Sequence, residues 1–208
     1  MDKKIIFLDL DGTLTNDEKK ITPKTKEALM DIQKRGHIVA LASGRPTPGM
    51  GFIAKELELE KYGGYVMSFN GGKIIDWKTK ETVFENTLDR KYLPDLIRYA
   101  RQNNLGLITY DNKQGLVATR VDPYVMLETV KINRIPAFLT DVVKYVDYNP
   151  NKCLYTVDPE ISEYHEKRLA EKFGKTAEGH APELYGAPLN AYVSTGIRSD
   201  HESTNKEE

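Results

Sequence analysis

Three apolar runs set the fold class before anything else in the chain is considered. Residues 5–8 (IIFL), 37–43 (HIVALAS) and 65–76 (YVMSFNGGKIID) have the length and β-branched content of buried strands. Between the first two, Thr22-Pro23 supplies an N-cap followed by proline at the first helical position. Thr25, Ala28, Leu29 and Ile32 then recur at the spacing of one helical face, and Gly36 is the expected stop. Between the second and third runs, residues 44–59 (GRPTPGMGFIAKELEL) read as a turn entering a second helix. Asn70-Gly71-Gly72 is a turn into a hairpin. This strand–helix–strand–helix–strand order predicts an α/β fold with a doubly wound parallel sheet.

The pattern changes past Glu81. Tyr92, Leu96, Tyr99 and Ala100 mark an amphipathic helix. LGLITYD, GLVATRV and NKCLYTVD read as strands, and Asp158-Pro159 opens a helix that carries Leu169 and Phe173 and stops at Gly174. The expected organisation is therefore a core over residues 1–82, an inserted α+β module over 83–174, and a tail of different texture over 175–208. Cys153 is expected to pack in a strand of the inserted module, His165 on a helix flank, and His37 in a structural place before the second strand.

A formal net charge of −1 and the lack of a long basic run argue against nucleic acid or an anionic membrane as partner. With Cys153 as the single cysteine, no internal disulfide can form, which points to a reducing, cytoplasmic setting. The apolar run after Lys3-Lys4 is too short for a signal peptide, and nothing approaches the roughly 20 apolar residues of a membrane span.

Asp9 and Asp11 stand two residues apart where the first strand meets a turn, a spacing that leans both side chains the same way. Ligands bind at that carboxyl edge in open α/β sheets. Gly12 allows a sharp turn and brings main-chain N–H groups close to an anion. Asp-Gly is also a common turn dipeptide, so these residues alone leave a plain turn open. An EF-hand is excluded, because its glycine would stand two positions later.

At these residues the sequence resembles the haloacid dehalogenase-like (HAD) superfamily. IIFLDLDGTL matches its DxDG[TV] signature, and ALASGRP resembles its second motif in the form found in Cof-type sugar-phosphate phosphatases. FNGG after the third strand and the insertion there are also similar to the Cof type, over about residues 1–174. The resemblance implies a HAD-like core with an inserted cap that closes over the site and selects a small phosphorylated substrate. It implies Asp9 as the nucleophile that forms an aspartyl-phosphate and Asp11 as general acid–base. It also implies Mg2+ held by the Asp9 side chain and the Asp11 carbonyl. Ser43 and Gly44 would donate to the phosphate at a helix start, and Arg45 would pair with phosphate or substrate. Asn70 is a weaker candidate at the third strand's end, where turn chemistry also explains it.

Two further family motifs are missing from these residues: a lysine in a Pro-Lys-Gly context and an acidic Gly-Asp-x-x-x-Asp motif. Lys172 and Lys175 lack the context, and Asp200 in GIRSD has no partner. Without the fourth core strand, the strand carrying Asp9 is expected to be an open edge and the core incomplete. The tail segment GHAPELYGAPLNAYVSTGIRSDHES is similar instead to an interior segment of microbial adenine deaminases, of the amidohydrolase superfamily. Histidines in the positions of His180 and His201 are metal ligands there, but Glu183 stands where glycine is expected, and the remaining ligands are absent. The expectations are thus an Mg2+-dependent phosphatase impaired by missing motifs, a non-catalytic phosphate-binding module, or, least supported, a purine deaminase. A receiver domain would need a further acceptor aspartate on the third strand, and none stands there.

Overall fold

The computed structural model describes residues 2–111, 115–173 and 191–194. They form two compact units, Met1–Asn86 and Thr87–Glu208. No helix among the described residues is long and apolar enough to cross a membrane.

The first unit runs β1 (Ile5–Asp9), α1 (Pro23–Lys34), β2 (Ile38–Ala42), α2 (Thr47–Glu56), α3 (Leu59–Tyr62), β3 (Gly64–Ser68), β4 (Lys73–Asp76) and β5 (Thr82–Glu85). Its sheet has the order β1-β2-β3-β4-β5. The first three strands are parallel, and β4 and β5 return antiparallel as a hairpin. The compositional break near Glu81 therefore falls inside this hairpin, and the change of unit comes at Asn86.

Local chemistry explains the elements that place the site. Thr22 caps α1, its hydroxyl accepting from the Thr25 N–H at 3.3 Å, and Pro23 enters at the first position. Leu29 of α1 and Met50, Ile53 and Ala54 of α2 pack with Val39, Leu41 and Val66 in one buried cluster. The helical run after Pro46 breaks at Glu58, whose backbone is left-handed (φ 52°), and resumes as α3. β1 pairs only with β2 among the described residues, and it leaves Ile5 48% and Phe7 63% exposed. The buried strand expected at residues 5–8 is a correction: no residue of β1 is fully buried, because one side of the strand has no partner among the described residues.

The second unit runs α4 (Leu93–Gln102), β6 (Gly106–Asp111), β7 (Gly115–Ala118), α5 (Pro123–Met126), β8 (Ala137–Leu139), α6 (Val142–Tyr145), β9 (Cys153–Thr156), α7 (Pro159–Phe173) and β10 (Ala191–Ser194). Its sheet has the order β10-β9-β6-β7-β8. Leu96, Leu107, Val117, Tyr155 and Leu169 centre its core, with Cys153 fully buried among them in β9, as expected.

His165 is a correction. It lies on α7, but it is buried rather than on a flank, and its Nδ1 meets the Tyr99 hydroxyl at 3.0 Å. Burial, with the Arg168 charge adding to it, lowers its pKa. Residues that follow α5 form π-helical turns (Leu127–Asn133) that the sequence pattern does not signal. Asn133 donates there to the Glu128 carboxylate at 2.9 Å, and Tyr110 donates to the same oxygen at 3.3 Å.

Candidate active site

Asp9 ends β1 and lies in register with Ala42, the last residue of β2. The two chain ends that carry the candidate residues therefore leave the sheet side by side, at the carboxyl edge of parallel strands. After Asp9 the chain turns at once. Leu14 N–H donates to the Asp9 carbonyl at 3.1 Å, and Thr15 N–H donates to the Leu10 carbonyl at 2.8 Å. Gly12 sits in this turn at φ +80°, a region that side chains disfavour. Leu10, fully buried between the two aspartates, anchors the turn in the core.

The loop after β2 carries Ser43, Gly44 and Arg45. α2 begins only at Thr47, so Ser43 and Gly44 precede the helix rather than form its first turn. The loop is held from the neighbouring strand by main-chain bonds. Ser43 N–H donates to the Met67 carbonyl at 2.9 Å, Asn70 N–H to the Ser43 carbonyl at 3.1 Å, and Phe69 N–H to the Arg45 carbonyl at 2.9 Å. Phe69 and Asn70 adopt left-handed backbone, φ 54° and 58°, to aim those groups. Asn tolerates that region, and a buried Phe does so at a cost that its packing must offset. Asn70 thus contributes through its backbone.

Arg45 joins the two loops. Its Nε and Nη2 donate to Asp11 Oδ2 at 3.0 Å and Oδ1 at 2.6 Å, a two-bond fork. The Arg45 side chain is 4% exposed and that of Asp11 37%. Arg45 N–H also donates to Ser43 Oγ at 3.2 Å. Burial works to raise the Asp11 pKa, but the bonds and charges of Arg45, then those of Lys19, outweigh it and hold the carboxyl below its usual range. Asp9 differs. Its carboxylate accepts a long bond from Thr13 Oγ1, 3.4 Å, and pairs with no cation among the described residues.

Asp9, Asp11, Ser43 and Arg45 are therefore gathered at one sheet edge, with Gly44 between the last two. Sequence reasoning missed Lys19, whose Nζ stands 3.1 Å from Asp11 Oδ1. A usable signal was present. Asn16-Asp17 is turn chemistry, and a reversal there returns the next residues towards Asp11. For a metal, Asp9 offers a carboxylate without a counter-ion among the described residues, and Asp11 a main-chain carbonyl. Mg2+ accepts such hard oxygens, completed by water and substrate phosphate. No group of three or more metal-ligating His, Cys, Asp or Glu side chains occurs among the described residues. Lys175, Glu183, Asp200, His180 and His201 lie outside those residues.

Comparison with known proteins identifies the family and the fold. A haloacid dehalogenase-like hydrolase from Bacteroides thetaiotaomicron is 39% identical with a TM-score of 0.77, over 82% of this chain and 64% of that one. The candidate phosphatase YxeH of Bacillus subtilis is 30% identical, over 71% of this chain and 59% of its own length. A structure described as the HAD subclass IIB sugar phosphatase BT4131 shares the fold at 15% identity and a TM-score of 0.64, over 82% of this chain and 63% of that one. The chain thus spans about three fifths of the length of these relatives. A stretch of 40 residues is 50% identical to adenine deaminase of Methanocaldococcus jannaschii, covering 19% of this chain and 7% of that protein. The family model for haloacid dehalogenase-like hydrolases matches residues 6–185. With that match over most of its length, and an aspartate pair set at the carboxyl edge of a parallel sheet, the chain belongs to the haloacid dehalogenase-like hydrolases.

Proposed function

We propose that this chain acts on phosphate monoesters of small metabolites, sugar phosphates foremost, through covalent catalysis by Asp9. One observation carries the reading: the two aspartates are in opposite states. The Asp11 carboxylate is locked by cations, while the Asp9 carboxylate beside the Ser43–Arg45 loop has none among the described residues. A nucleophile must present an unencumbered lone pair. Asp9 attacks phosphorus, the bond to the leaving oxygen breaks, and that oxygen takes a proton from Asp11. Water then attacks the aspartyl-phosphate, gives its proton to Asp11, and releases orthophosphate and free Asp9. Ser43 Oγ and the Gly44 N–H orient the phosphoryl oxygens. Arg45, drawn partly from Asp11 by the phosphate, pairs with it. Mg2+, when held by the Asp9 carboxylate and the Asp11 carbonyl, would offset the charge of the phosphate. The second unit serves as the substrate-selecting cap.

The clamp on Asp11 supports a second reading, a module that binds phosphate without turning it over, since a carboxyl held by two cations is a poor proton donor. One panel separates the two. Sugar phosphates, nucleotides, acyl phosphates and adenine are offered, and released phosphate and ammonia are measured with Mg2+ and with excess EDTA. Phosphate release that EDTA abolishes is the expected result. Release unaffected by EDTA would refute the metal-assisted reading, and binding without release would favour the second. Arg45→Ala is expected to raise KM about tenfold or more, by loss of a charged phosphate ligand. An unchanged KM with a large fall in kcat would show that Arg45 acts only in the transition state.

A further inference from the structure

Lys19 and Lys20 are neighbours with opposite fates. The Lys20 side chain is 69% exposed and pairs with Glu18 at 2.7 Å on the surface. The Lys19 side chain is 28% exposed and reaches Asp11. What separates them is a tight turn. Asn16 N–H donates to the Lys20 carbonyl at 3.0 Å, Lys19 N–H to the Asn16 carbonyl at 2.8 Å, and Lys20 N–H to Asn16 Oδ1 at 3.0 Å. These bonds hold Lys19 in left-handed backbone, φ 59°, which lysine rarely adopts. The turn thus spends backbone strain to aim an ammonium at the aspartate pair.

Asp11 does not need that ammonium. The Arg45 fork already engages both of its carboxylate oxygens, and Lys19 adds a further contact to Oδ1, where Arg45 makes the shorter one. Among the described residues, Asp11 is the only carboxylate paired with Lys19. Lysine carries a point charge on a flexible stem with three donors, so it can turn to a new anion while Arg45 keeps its planar fork. The formal charges of Asp9, Asp11, Arg45 and Lys19 sum to zero, so an arriving phosphate monoester meets no net repulsion from these four groups. Without Lys19 it would meet a net negative charge.

We infer that Lys19 is a phosphate-binding residue of this site, shared between Asp11 in the free protein and the phosphoryl group of a bound monoester. This rests on the proposed function, and it assigns to the Asn16–Lys20 turn a positive charge that meets the bound phosphate.

The test needs no turnover. Orthophosphate binding to the full chain is measured by calorimetry in Mg2+ buffer for the unaltered protein, Lys19→Met, Lys19→Arg and Lys20→Met. Lys19→Met is expected to weaken binding about tenfold, the worth of one charge-assisted contact, while Lys19→Arg and Lys20→Met stay within about threefold. The KM for an accepted sugar phosphate should move in parallel with the binding constant. Unaltered protein that binds phosphate, with Lys19→Met binding as well, overturns the role of Lys19 and leaves the phosphatase reading standing. A fall in kcat with unchanged phosphate affinity would make Lys19 a positioning group for Asp11 and would likewise overturn the inference. Unaltered protein that binds no phosphate overturns both.

Discussion

Asp9→Asn is expected to lower phosphate release from any accepted monoester by about a thousandfold or more, because an amide cannot supply the nucleophilic oxygen pair. The substitution is nearly isosteric. Asp9 makes no ion pair among the described residues, and its one described side-chain bond is the long one from Thr13. The melting temperature should therefore stay within a few degrees, which separates lost chemistry from lost fold. A phosphate-release assay on one sugar phosphate, paired with a thermal melt, decides the matter. Retained activity in Asp9→Asn would remove this residue from the reaction and with it the covalent route.

The second large effect is on stability. A Cβ at Gly64 would stand 2.6 Å from the Val39 carbonyl oxygen and 3.1 Å from Leu59 Cδ2. Gly64 is the first residue of β3 and pairs in register with Val39. The oxygen is main chain in the middle of a parallel ladder, so it cannot move aside as a side chain would. Gly64→Ala is expected to cost about 3 kcal/mol through overpacking. For a unit of this size that is a fall in Tm of roughly 10–20 °C. Gly51→Ala is the control. Its Cβ would find only the Trp77 ring, at 3.8 Å, within α2. Replacing a helical glycine there should be neutral or stabilising by up to about 1 kcal/mol. If both variants melt like the parent, the close approach of β2 and β3 is not as described.

The contrast between Gly64 and Lys19 shows where sequence reading works. β2 could be read because burial on two faces demands a continuous apolar run such as IVAL, and α1 because Thr22-Pro23 and the Leu29–Ile32 face are local signals. Asp9, Asp11, Ser43 and Arg45 were legible because both motifs lie at strand ends, where the topology gathers them. Lys19 was legible only in part: Asn16-Asp17 signals the turn, but the aim of the side chain depends on main-chain bonds across it. The clamp from Phe69 and Asn70 escaped notice for the same reason: backbone carbonyl partners leave no mark on residue type. In the second unit the π-helical turns at Leu127–Asn133 carry no period that separates them from an ordinary helix. His165 was misplaced because its partner, Tyr99, is sixty-six residues away in the chain.

The edge position of β1 bears on how tightly the reaction geometry can be kept. The strand that ends in Asp9 is fastened by a ladder on one side only, to β2. In a parallel pair, alternate amides point towards the partner and the rest point away. About half of the β1 amides therefore lack a strand opposite them among the described residues, and local opening there needs far less free energy than global unfolding. The residue with the strictest positional demand thus rides on a strand paired on one side only among the described residues. Heating should blunt catalysis through loosening of β1 while α1, α2 and the Val39–Leu41 core still hold, so the thermal limit of function lies below the thermal limit of the fold.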